Sequence, residues 1–189
     1  MSESNPTSDD QLMSAAQGGD LARLGELFER HHGRLFNFFL RLTGDRAASE
    51  DLVQEVFLRI LKYRHTWRSD GDFTAWMFTL ARNASSDRFR SRPRLEVQPE
   101  EDAPEPPAPE PSVLAALERA EDAGRLRQAL LRLPVERREA LVLARWGELD
   151  YETIGALLGC SVGAVKLRVH RALKQLRQIY LGGIEEVSA

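Results

Sequence analysis

Seven of the nine prolines in this chain fall between residues 93 and 111, at positions 93, 99, 104, 106, 107, 109 and 111. Proline fixes φ and removes a backbone donor, so no helix or central strand runs through such a stretch. The segment, PRLEVQPEEDAPEPPAPEP, also carries six acids (Glu96, Glu100, Glu101, Asp102, Glu105, Glu110) against one base, Arg94. It has too little apolar surface to offset the entropy of ordering it. The expectation is an extended acidic linker of partly polyproline character. It divides the 189 residues into two parts, 1–92 and 112–189. The overall charge is −3, and the linker alone contributes −5, leaving the rest at about +2. That positive charge is clustered rather than spread.

Apolar residues on both sides of the linker recur at helical period, without period-2 alternation, so both parts read as all-α. In the first part, Ser8 caps a helix with acids in its first turn. Further helices are expected at about 20–42, 47–63 and 73–90. In the second part they are expected at about 113–133, 135–146, 151–158 and 162–180, with Pro134 at a first helical position. Hydrophobic content of 42% and charged content of 29% are ordinary for a folded soluble protein. The single cysteine, Cys160, precludes an internal disulfide, and the four histidines have no partner at metal-ligand spacing. No secretory signal opens the chain, and no apolar run approaches the roughly 20 residues that span a bilayer. The reading is a cytoplasmic protein without membrane insertion, metal or cofactor. No nucleophile–base pair, carboxylate pair or glycine-rich phosphate loop is present, so it is read as a non-enzyme with no catalytic residues.

Three segments carry chemistry. In EDLVQEVFLRILK, residues 50–62, Val53, Val56, Phe57 and Ile60 share one helix face, with Leu52 and Leu61 at its margins. The opposite face holds Asp51, Gln54, Glu55, Leu58 and Lys62. Leu58 is either a lone exposed leucine or part of a mixed apolar and acidic patch for a partner with basic and apolar residues.

The second segment, HTWRSDGDFTAWMFTLARNASSDRFRSRPR, crowds aromatics with Arg68, Arg82, Arg88, Arg90 and their neighbours. Phe73, Trp76, Met77 and Leu80 fit a core stripe. Trp67 lies in a short loop, WRSDGD, whose Gly71 permits an unusual backbone. Interleaved arginines and aromatics suit single-stranded nucleic acid, cations following phosphates and an aromatic or loop pocket receiving an unstacked base. The alternative is a solvated arginine run with Trp67 folded back as a plug.

The third segment, LDYETIGALLGCSVGAVKLRVHRALKQLRQ, reads as helix, glycine turn, helix. Tyr151, Ile154, Leu157 and Leu158 point inward, Gly159 makes the turn, and Ser161 caps the next helix. The inward stripe of that helix is Val162, Val165, Val169, Leu173 and Leu176. No acid occurs between Glu152 and Glu185. Lys166, Arg168, His170, Arg171 and Lys174 make a face suited to phosphates and base edges in a major groove. Leu167 sits opposite the valine stripe, where it can touch a thymine methyl or be covered by a protein inhibitor.

Taken together, these motifs resemble the bacterial RNA polymerase sigma factors of the small extracytoplasmic-function (ECF, group 4) kind in the sigma-70 family. EDLVQEVFLRI resembles the polymerase-docking segment of region 2, WRSDGDFTAWMFTLARN the promoter-melting segment, and LRLPVERREALVLARWGELDYETIGALLGCSVGAVKLRVHRA region 4. The resemblance covers about residues 10–92 and 113–180. It implies that Asp51, Gln54, Glu55 and Leu58 bind the clamp helices of the largest polymerase subunit. It implies that Trp67, Arg68, Ser69, Asp70, Gly71 and Asp72, with Asn83, capture a flipped base of the minus-10 element. Arg82, Arg88 and Arg90 would hold the opened strand. Ser161, Lys166, Leu167, Arg168, His170, Arg171 and Lys174 would read the minus-35 element. The implied partners are core RNA polymerase (clamp helices and flap), promoter DNA and an anti-sigma factor. The acidic linker would lie along the RNA exit path. Gly155, Ala164 and Leu167 depart from the residues common in the family.

Two other functions fit parts of the pattern. An autonomous helix-turn-helix regulator would use the first part for dimerisation and bind its site without polymerase. A pure interaction module would support no transcription with core enzyme.

Overall fold

The first helix starts where its own side chains satisfy its end. Ser8 Oγ accepts from the Gln11 amide at 3.2 Å, while Gln11 Oε1 accepts from the Ser8 amide at 2.9 Å. Two donors that would otherwise be orphaned at the helix start are thereby satisfied. The computed structural model describes residues 7–90 and 123–187, without the side chains of Phe89, Arg90, Ala123 and residues 183–187. The linker 93–111 and the expected helical stretch 113–122 lie outside the described residues.

Among the described residues the order is α1 (Asp9–Gln17), α2 (Ala22–Thr43), α3 (Arg46–Tyr63), a 3-10 turn (Arg64–Thr66), α4 (Phe73–Arg90), α5 (Ala123–Leu131), α6 (Val135–Trp146), α7 (Tyr151–Leu158) and α8 (Val162–Val187). No strand occurs among them, so the all-α expectation holds there. The chain divides into two compact units. Residues 38–46, at the end of α2 and before α3, group with the second rather than the first.

In the first unit the apolar stripes turn inward as their period requires. Leu12, Met13 and Ala16 of α1 are buried, as are Leu52, Val53, Val56 and Ile60 of α3. Phe57 is half-buried, its ring edge-on to Phe28 at 4.9 Å. In α4 the buried set is Phe73, Met77, Phe78, Ala81 and Ala84. Trp76 and Leu80, expected in that stripe, are only half-buried.

In the second unit α6 buries Ala140 through Leu143, and α8 buries Val165, Val169, Ala172, Leu176 and Tyr180. The last set steps by three and four residues, the spacing of one helix face. Val162 and Leu173, expected inward, stand at its margin and are half-buried. Pro134 is the N-cap of α6 rather than its first helical residue, with φ −51° and ψ 142°. Arg138 is buried, and its guanidinium donates to the Leu131 carbonyl at 3.4 Å. A cation at the carbonyl end of α5 complements that helix's dipole. Burial lowers the Arg138 pKa from its ordinary value.

Candidate nucleic-acid interface

In α3 the face opposite the core presents Asp51, Gln54 and Leu58 to solvent, with Glu55 half-buried. Leu58 is 61% exposed, the most exposed large apolar side chain among the described residues. Leu61, expected at the edge of the core face, is also exposed. The acids of this face are engaged. Glu55 accepts from Arg59 at 2.6 Å, and Arg59 continues to Asp87 of α4 at 3.1 Å. Asp51 pairs with Arg88 of α4 at 3.7 Å. Burial works to lower the Arg59 pKa, but Glu55 and Asp87 together raise it above its ordinary value.

In the loop after the 3-10 turn, the plug reading of Trp67 is the one the structure carries, and Gly71 and Asp72 have roles the sequence did not indicate. Trp67 is only 3% exposed, so its ring is a plug in the core and not a surface for stacking a base. Burying an indole outweighs displaying it, because so large an apolar group gains more from leaving water than any other in the loop. Gly71 is not in the positive-φ region. What constrains it is space, since a Cβ there would lie 3.1 Å from the Arg68 carbonyl oxygen. Asp72 caps α4: its Oδ1 accepts from the amides of Thr74 at 2.7 Å and Ala75 at 3.3 Å.

Arg68, Ser69, Asp70, Gly71 and Asp72 are all exposed. Arg68 and Asp70 form a two-bond pair at 3.2 and 3.3 Å, which holds the Asp70 carboxyl below its ordinary pKa. Further along α4, Asn83 is exposed, and Arg82 and Arg88 are half-buried. The Arg90 side chain lies outside the described residues.

The helix-turn-helix is built by its caps. Asp150 Oδ1 accepts from the Thr153 amide at 2.7 Å to start α7, which holds the Asp150 carboxyl below its ordinary pKa. Gly159 ends α7 in the left-handed region at φ 66°, a conformation that costs glycine little. Ser161 Oγ accepts from the Ala164 amide at 3.2 Å and starts α8. Ile154 and Gly155 are buried, whereas Tyr151, Leu157 and Leu158 are half-buried. Gly155 is a packing necessity, since a Cβ on it would come within 2.8 Å of the Cys160 carbonyl oxygen.

On α8, Ser161, Lys166 and Lys174 are exposed, and Leu167, Arg168, His170 and Arg171 are half-buried. At about 100° per residue, Leu167 lies opposite the Val165–Val169–Ala172–Leu176 stripe. Arg168 turns back toward the turn, donating to Cys160 Sγ at 3.6 Å. The cations therefore surround an apolar centre on a stretch of α8 that holds no acid from Val162 to Gly182.

Three contacts around these segments were not legible in the local sequence. Gln17 of α1 donates to carbonyls around Trp67, Asp10 of α1 accepts from Phe73, and Arg59 links α3 to α4. Their partners lie 28 to 63 positions away, beyond any helical or turn periodicity.

Comparison with known proteins agrees with both units. Residues 27–95 match the family described as Sigma-70 region 2, and residues 123–176 match Sigma-70, region 4. The chain is 36% identical over 154 residues to the ECF RNA polymerase sigma factor SigE of Mycolicibacterium smegmatis, covering 80% of this chain and 59% of that one. It is 34% identical over 162 residues to the RNA polymerase sigma factor CarQ of Myxococcus xanthus, covering 85% of this chain and 90% of CarQ. The solved structure of CnrH in complex with the cytosolic domain of CnrY is similar at TM-score 0.69 and 26% identity, over 90% of this chain and 96% of that one. No helix among the described residues is long and apolar enough to cross a membrane. With two sigma-70 regions matched in order, and relatives of this identity aligned across most of its length, the chain belongs to the ECF RNA polymerase sigma factors of the sigma-70 family.

Proposed function

We propose that this chain is a dissociable specificity subunit that acts in the cytoplasm and performs no bond chemistry itself. Residues 1–92 dock on core RNA polymerase and open the minus-10 element, residues 93–111 are a linker, and residues 112–189 read the minus-35 element. Asp51, Gln54, Glu55 and Leu58 form the docking patch, and the exposed leucine framed by acids is the observation that carries this assignment. A partner presenting cations around an apolar socket matches it in charge and shape.

Arg68, Ser69 and Asp70 meet an unstacked base, with Asn83, Arg82 and Arg88 along the following helix; the exposure of the three loop residues supports this reading. Trp67 supports the loop from beneath. On α8, Lys166, His170, Arg171 and Lys174 neutralise phosphates or bond base edges, and Leu167 gives an apolar contact at the centre. Arg168 braces the turn. CnrH was solved bound to the cytosolic domain of another protein. By analogy, an anti-sigma protein covers the docking patch and the basic helix here until it is released.

The test is reconstitution. Core bacterial polymerase plus the full chain, given fragmented genomic DNA, yields transcripts that start downstream of one shared pair of elements. A specific footprint by the isolated chain, without core enzyme, would favour the autonomous regulator instead. Absence of specific transcripts with core enzyme would leave only an interaction module.

A further inference from the structure

Both ends of the exposed loop Arg68–Asp72 are held by one short helix that is remote in sequence. At one end, Gln17 Nε2 donates to the carbonyl oxygens of Trp67 at 2.9 Å, Arg64 at 3.2 Å and His65 at 3.4 Å. These carbonyls close the 3-10 turn that follows α3, where the Arg64 carbonyl also accepts from the Trp67 amide at 3.2 Å. At the other end, Asp10 Oδ1 accepts from the Phe73 amide at 2.8 Å. Phe73 is the first residue of α4, and the Asp72 carboxylate is already committed to Thr74 and Ala75. The two contacts therefore fix where the loop leaves Trp67 and where it enters α4.

The helix that does this is itself anchored. Asp9 accepts from Arg30 of α2 at 2.8 Å and lies 2.6 Å from His31 Nε2. Arg30 also donates to the Thr7 carbonyl at 2.8 Å. Leu12, Met13 and Ala16 are buried beneath. Gln17, by contrast, is exposed, and its side chain adds nothing to the core. Its structural yield is the position of the carbonyls it holds.

We infer that Gln17 and Asp10 are positioning residues for base selection: α1 is a two-point clasp that sets the span and direction of the loop that receives a promoter base. The inference rests on the proposed role of that loop. A loop of five residues tethered at both ends samples far fewer conformations than one tethered only by its own chain. A site that discriminates bases needs its groups held to within a fraction of an ångström. Gln17 touches no nucleic acid in this scheme and acts only through the backbone it fixes.

The experiment uses the full chain bound to core polymerase and a randomised single-stranded DNA library of roughly 12 nucleotides, the scale of a single-strand site. Recovered strands are sequenced for base preference at each position. Gln17→Glu swaps the donor for a carboxylate facing three carbonyls and is expected to flatten preference at one or two positions by about fivefold, the worth of one hydrogen bond. Gln17→Lys restores a donor and is expected to restore preference. Asp10→Asn keeps an acceptor and is expected to stay near the parent. In the free chain, amide exchange at residues 68–73 should quicken in Gln17→Glu and recover in Gln17→Lys.

Equal loss of all strands with preference intact would overturn the clasp, leaving Gln17 a stability residue only. So would unchanged preference in Gln17→Glu when the loop variant Arg68→Ala/Ser69→Ala does change it. If the loop variant itself leaves preference intact, the base-capture reading fails and takes the clasp with it.

Discussion

The carboxylate of Asp51, on α3, lies 3.7 Å from the guanidinium of Arg88, on α4. The first belongs to the face assigned to polymerase docking, the second to the helix assigned to the opened strand. Two groups that are each proposed to meet an external partner are thus paired with each other in the free chain. A second link between α3 and α4 lies one turn along, where Glu55 and Asp87 share Arg59.

That pairing predicts a small restraint on nucleic-acid binding. Asp51 is 69% exposed and Arg88 34%, so solvent screens the pair and its worth is about 0–1 kcal/mol. Asp51→Asn is expected to raise affinity for single-stranded DNA by up to about fivefold at low salt, and to steepen the salt dependence by about 0.7 of a counterion. Fluorescence anisotropy of a labelled strand across a salt series measures both. The gain should vanish in an Arg88→Gln background; an undiminished gain there would detach the effect from this pair.

The division of labour between the units predicts a separation of phenotypes. Lys166→Glu with Arg171→Glu places two carboxylates on the face of α8 that should meet phosphate. Promoter-specific transcription should fall at least about a hundredfold, as two reversed phosphate contacts imply. Co-purification with core enzyme should be unchanged. Loss of both together would contradict separate docking and reading surfaces.

Gly155 sets two effects against each other. Alanine is favoured over glycine inside a helix by about 1 kcal/mol. Its Cβ, however, would stand 2.8 Å from the Cys160 carbonyl oxygen, and that oxygen is backbone and cannot swing away. Forcing the turn open costs about 1–3 kcal/mol, so Gly155→Ala should be net destabilising. The expected net loss of up to about 2 kcal/mol would lower the Tm of the second unit by several degrees, read by calorimetry on the full chain. A higher Tm would mean that the turn yields without strain.

Asp9 gives α1 a pH-dependent hold. Burial pushes its carboxyl pKa up, but hydrogen bonds from Arg30 and His31 outweigh burial and bring it below the ordinary value. A depressed carboxyl stabilises the fold above its unfolded pKa of about 3.9, and that contribution is lost as pH falls through the folded value. Asp9→Asn should therefore cost about 1–2 kcal/mol at pH 7, below the range of about 1.5–3 kcal/mol for hydrogen bonds to charged groups because solvent screens the half-exposed Arg30 pair. The difference between parent and variant should shrink once pH drops below about 4. Denaturant titrations at the two pH values test this, and a gap that persists in acid would exclude the charge as its source.

Local sequence was enough to place the helices among the described residues and to recognise the helix-turn-helix. Capping depends on residues three apart, as with Ser8 and Gln11 or Asp150 and Thr153, and amphipathic stripes depend on neighbours three and four apart. The acid-free stretch of α8 from Val162 to Gly182 and the exposed Leu58 follow from the same short-range arithmetic. Packing decided the rest. Loop composition left two readings of Trp67 open, and the first unit, by offering a place for its ring, decided for the plug. Arg168 found the sulfur of Cys160, and Asp51 found Arg88. Gln17 and Asp10 reached partners 47 to 63 residues away. Periodicity tells which face of a helix leaves water, but only the meeting of helices fixes which polar groups come within 3 Å of one another, because that distance is set by how the buried side chains between them interlock.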